Sequence, residues 1–102
     1  MNGGLEEAFR ALQREYVAVL PERLDEVRSL AGAAARGDAG AGAALRVKLH
    51  QLAGAAGSYG LPELSDAARA LMATLEAQGA AACAPGLDAL EALHRVAAQR
   101  LG

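Results

Sequence analysis

Leu45-Arg46-Val47-Lys48-Leu49-His50-Gln51-Leu52-Ala53-Gly54-Ala55-Ala56-Gly57-Ser58-Tyr59-Gly60-Leu61-Pro62 is the stretch whose periodicity decides the fold. Leu45, Leu49, Leu52, Ala56 and Tyr59 alternate steps of four and three, the spacing of an apolar stripe on a helix that packs into a bundle. Gly57 or Gly60 is placed to end this helix. Pro62 and Glu63 suit the first turn of the next one, where a missing N–H costs nothing and an acid complements the helix dipole.

Working outward, Leu61, Leu64, Ala68, Leu71 and Leu75 form a second stripe that stops near Gly79. Gly79 to Gly86 is rich in alanine and glycine, contains Pro85, and reads as a loose loop. Leu87, Leu90, Leu93 or His94, Ala97 and Leu101 mark a last helix with Asp88 in its first turn. Toward the N-terminus, Asp38 to Gly42 reads as a short connection. Before it, Leu20, Leu24, Val27, Leu30 and Ala34 form one apolar series, with Gly37 as its stop, and Leu5, Phe9, Leu12, Tyr16 and Val19 form another. Pro21 stands between the two and leaves open whether one bent helix or two cover this part. The pattern predicts an all-α fold: an antiparallel up-and-down four-helix bundle with an additional N-terminal capping helix, forming a single domain over residues 1–102.

Composition agrees with helices. Alanine and leucine dominate, β-branched residues are scarce, and three aromatic residues stand among 102 with no tryptophan. A formal net charge of -2 and the lack of a dense basic run argue against a nucleic-acid platform. No apolar run approaches the ~20 residues of a membrane span, and no leader pattern opens the chain. Cys83 is the sole cysteine, so an internal disulfide and a multi-cysteine metal site are both ruled out. A cytoplasmic monomer without membrane contact is expected.

His50 is the residue that asks for an explanation. It lies about 100° round the helix from Leu49, at the edge of the core face or beyond it, with Arg46 one turn before it and Ala53, Gly54 and Gly57 after it. Gly54 lowers helix stability by about 1 kcal/mol relative to alanine, which calls for a packing or functional reason. Between Asp38 and Glu63 there is no acidic residue, while Arg46, Lys48 and His50 fall inside that interval, so an acidic partner surface would be favoured. Lys48 points about 160° away from His50 on an ideal helix. A neutral imidazole offers a nucleophilic lone pair on one ring nitrogen. A metal site is not expected, since the other histidine, His94, is distant in sequence and no carboxylate shares the face of His50. No Ser or Cys is paired with a general base. Gly57, Gly60 and Pro62 also read as helix punctuation, Tyr59 and Phe9 as core or cap residues, His94 as an edge residue of the last helix, and Cys83 as incidental in a mobile loop.

The string His50-Gln51-Leu52-Ala53-Gly54-Ala55-Ala56-Gly57-Ser58-Tyr59-Gly60-Leu61, followed by the leucine-spaced helix from Leu64 to Leu75, resembles histidine-containing phosphotransfer (HPt) domains. The motif covers Leu45 to Leu75, and the likeness in size and helix pattern covers the whole chain. It implies that His50 accepts a phosphoryl group from a phosphoaspartate on the receiver domain of a response regulator or hybrid sensor kinase, and passes it to another receiver aspartate. It implies further that the receiver brings the magnesium ion, that this chain holds no cofactor, and that it is a phosphocarrier rather than an enzyme. Arg46, Ala53, Gly54 and Gly57 would then make the docking strip. One departure stands out: the lysine common in the family three residues after the histidine is Ala53 here, which leaves Arg46 or Lys48 as substitutes. Two other readings fit the residues less fully. One is a helical interaction module that docks partners without being phosphorylated. The other is the dimerisation part of a sensor kinase, against which the lack of an ATP-binding segment weighs.

Overall fold

A computed structural model describes residues 2–102 as four long helices: α1 (Asn2–Ala35), α2 (Ala39–Ser58), α3 (Pro62–Gln78) and α4 (Ala84–Leu101), with a 3₁₀ turn at Ala80–Cys83 running into α4. No strand occurs among the described residues. Each helix packs on the next and α4 returns to α1, so short connections close an antiparallel ring. Leu20, Leu45, Leu49, Leu71 and Leu90 are fully buried at its centre.

The turns follow from sequence chemistry. At the end of α2 the Gly60 N–H bonds the Gly57 carbonyl (3.1 Å) and the Leu61 N–H bonds the Ala56 carbonyl (2.8 Å), the pairing of a Schellman turn. Gly60 has φ +69°, a conformation that glycine adopts at no steric cost, so Gly60, not Gly57, ends the helix. Asp38 is not in a loop but caps α2, its carboxylate accepting from the Ala41 N–H at 3.0 Å. The segment from Gly79 to Gly86 is likewise no loose loop. It is helical from Ala80 onward, and Cys83 is buried there, burial pushing its thiol pKa up.

Helix α1 is where the sequence expectation changes most. It is one continuous helix with Pro21 inside it, and the expected capping helix is its first half. Proline has no N–H to give the carbonyl four residues back, that of Val17. In the folded protein His94 of α4 takes that place, with Nε2 at 2.9 Å from the Val17 oxygen. A carbonyl only accepts, so the bond requires the proton on Nε2. Arg28 reinforces the same pair of helices through Asp88 (2.8 Å) and Glu91 (3.0 Å), and these bonds raise its pKa further.

Thirty-four residues at about 1.5 Å each make α1 about 50 Å long. That nearly equals the 53 Å long axis of the molecule and exceeds the reach of the other helices. Its N-terminal half therefore overruns the bundle. The stripe expected to be apolar core is mostly exposed: Leu5 is 76 % exposed, and Phe9, Leu12 and Val19 more than 40 %. Tyr16 alone of that series is buried, stacked on Tyr59 with centroids 4.7 Å apart. Burial raises the Tyr16 pKa despite nearby Arg23, and its hydroxyl has no partner. Gln13 ties the overrunning segment down by donating to the Tyr59 carbonyl at 2.8 Å.

Candidate functional site

The site is built where α2 lies against α3. Leu45, Leu49, Leu52 and Ala56 turn one face of α2 into the core and thereby fix the opposite face outward. His50 stands on that outward face, exposed to solvent. Among the described residues no side-chain hydrogen bond involves its ring. Beside it lies a shallow open hollow of about 340 Å³, lined by His50, Ala53 and Gly54 from α2 and by Arg69, Met72, Ala73 and Glu76 from α3.

The sequence-predicted residues separate here. Gly54 is exposed, and a methyl group built on it would touch nothing within 4 Å, so no packing need accounts for this glycine. Gly57 is exposed too, but its α-carbon faces Ser65, to which a methyl group would stand in ordinary contact at 3.5 Å. Ala53 departs from expectation: at 3 % exposure it is buried against α3 and forms the floor of the hollow, not a surface that a partner touches. Arg46 is held by Glu76 of α3 at 2.8 Å, and Lys48 by Glu26 of α1 at 3.0 Å on the far flank. The basic interval seen in the sequence is thus balanced by acids from neighbouring helices.

The sequence reading missed two residues on α3. Ser65 is buried, a polar group inside the bundle, and its hydroxyl donates to the Ala53 carbonyl at 2.8 Å. With its proton committed, the oxygen accepts from Arg69 Nη1, also at 2.8 Å. Asp66 is a looser partner of Arg69 at 3.8 Å. Ser65, Arg69 and Glu76 fall on one face of α3 at helical spacing, and those polar residues beside the leucine stripe were the available signal.

The arrangement holds one exposed imidazole, room beside it, and charge at the rim. The described residues contain no cluster of three or more potential metal ligands, and no helix among them is long and apolar enough to cross a membrane. The described residues thus form an antiparallel helical bundle with one unpartnered imidazole on an open face. The Hpt domain family model matches residues 6–99, and the chain belongs to that family. Hpt domains are phosphocarrier modules of two-component phosphorelays and interact with the receiver domains of response regulators and hybrid kinases. Comparison with curated proteins and with solved structures gave no match.

Proposed function

We propose that His50 is the phosphoacceptor. A ring nitrogen carrying the lone pair attacks the phosphorus of a receiver phosphoaspartate, the N–P bond forms, and the P–O bond breaks with its electrons returning to the carboxylate. The reverse step onto a second receiver aspartate discharges the carrier. Such transfer demands in-line approach and charge neutralisation more than covalent machinery. The receiver supplies the magnesium ion and the acidic pocket, and this chain supplies the nucleophile and the clearance to reach it.

The observation that carries this reading is Gly54. It sits one turn after His50 on the exposed face, it has no neighbour that would exclude a side chain, and it still costs the helix about 1 kcal/mol. Clearance for an approaching body accounts for it; packing does not. The proposed partner surface is the strip of His50, Gly54 and Gly57, with Arg46 at its edge and Ala53 beneath it.

The test is incubation with a panel of labelled, phosphorylated receiver domains. Acid-labile, base-stable label is expected on the wild-type protein and not on His50→Gln. Label that persists in the variant, or no label from any receiver, removes the proposal, and the second result with partner binding retained would favour a docking module without chemistry.

A further inference from the structure

We infer that Arg69, anchored by the buried Ser65, supplies from α3 the cation that the sequence leaves out at position 53, so that Arg69 forms the phosphoryl-binding side of the hollow. The inference rests on His50 being the phosphoacceptor. A phosphoryl group on the His50 ring brings negative charge into an open hollow, where a guanidinium is the side chain best shaped to meet it, through paired N–H donors.

Three cations stand near His50 in the sequence or in space, and the structure ranks them. Lys48 is bound to Glu26 on the α1 side and does not line the hollow. Arg46 is bound to Glu76 at 2.8 Å, so recruiting it would leave a carboxylate uncovered beside the phosphoryl group. Arg69 lines the hollow, and its closest contact is a neutral hydroxyl rather than an acid. Beyond Ser65 Oγ and the loose approach of Asp66, its N–H groups have no protein partner among the described residues.

The anchor also explains why a serine is buried in the bundle. A hydrogen-bonded run leads from Arg69 Nη1 to Ser65 Oγ and on to the Ala53 carbonyl, which belongs to α2 three residues after His50. This run ties one terminal nitrogen of the guanidinium to the helix that carries His50. Ser65 is a positioning residue, and Arg69 is the group that meets the phosphoryl oxygens.

Phosphoramidate is the probe of choice because it needs no partner. The His50 ring nitrogen takes the phosphorus, and ammonia leaves with the electrons of the broken P–N bond. Labelling rates are to be compared for wild type, Arg69→Gln, Arg69→Lys and Lys48→Gln at low and high salt. An exposed charge of this kind is worth at most about 1 kcal/mol, so Arg69→Gln is expected to slow labelling about three- to fivefold, with the difference shrinking as salt is added. Arg69→Lys recovers most of the rate, and Lys48→Gln leaves it unchanged. Equal rates for Arg69→Gln and wild type, or the same loss in Lys48→Gln, overturn the assignment while leaving His50 as acceptor. A wild-type protein that takes no label at His50 overturns both.

Discussion

The two histidines of this chain stand on opposite sides of the bundle and have opposite lives. His50 is exposed on α2, unpartnered, over a hollow with a glycine at its rim. His94 is half-buried on α4, its Nε2 committed to the Val17 carbonyl that Pro21 orphans. A histidine with a free lone pair in open space is available for chemistry, whereas one that repairs a helix is not. The difference lies in what surrounds each ring: small residues and solvent for one, a backbone defect for the other.

The contrast can be broken or sharpened by substitution. The largest effect on stability belongs to the His94 side. His94→Leu leaves the Val17 carbonyl partly buried without a donor and should cost about 1–3 kcal/mol in denaturant unfolding, with labelling at His50 retained. A loss below a few tenths would show that the bond contributes little. Pro21→Ala sharpens the point, because it restores the N–H that Val17 lacks. The cost of His94→Leu measured in a Pro21→Ala background should fall by about 1 kcal/mol or more, a coupling that additive behaviour would contradict. The smallest effect belongs to the His50 side. Gly54→Ala should raise stability by up to about 1 kcal/mol, since its methyl meets nothing, and should slow transfer from a phosphorylated receiver. Faster or unchanged transfer would sink the clearance argument.

How far the sequence could be read follows the same division. The stripe of α2, the stop at Gly37, the proline opening α3 and the outward placement of His50 all come from local rules, and each matches the structure. What could not be read depended on residues far apart in sequence. Pro21 is tolerated inside α1 because the Val17 carbonyl finds a donor 77 residues further along the chain, which no periodicity announces. The exposed stripe of Leu5, Phe9 and Leu12 has flawless helical spacing, but the helix it lies on is longer than its neighbours. Arg69 enters the hollow through the register of α3 against α2, and Arg46 leaves the free set through Glu76 for the same reason. Local spacing placed His50; tertiary register decided which cation stands beside it.

Locating the phosphoryl group tests the central claim most directly. The wild-type protein, charged by a phosphorylated receiver, is digested under alkaline conditions and its phosphorylated peptide identified by mass spectrometry. The account predicts the added phosphoryl mass on the peptide containing His50 and none on the peptide containing His94. A phosphoryl group on His94, or on any residue other than His50, would contradict it.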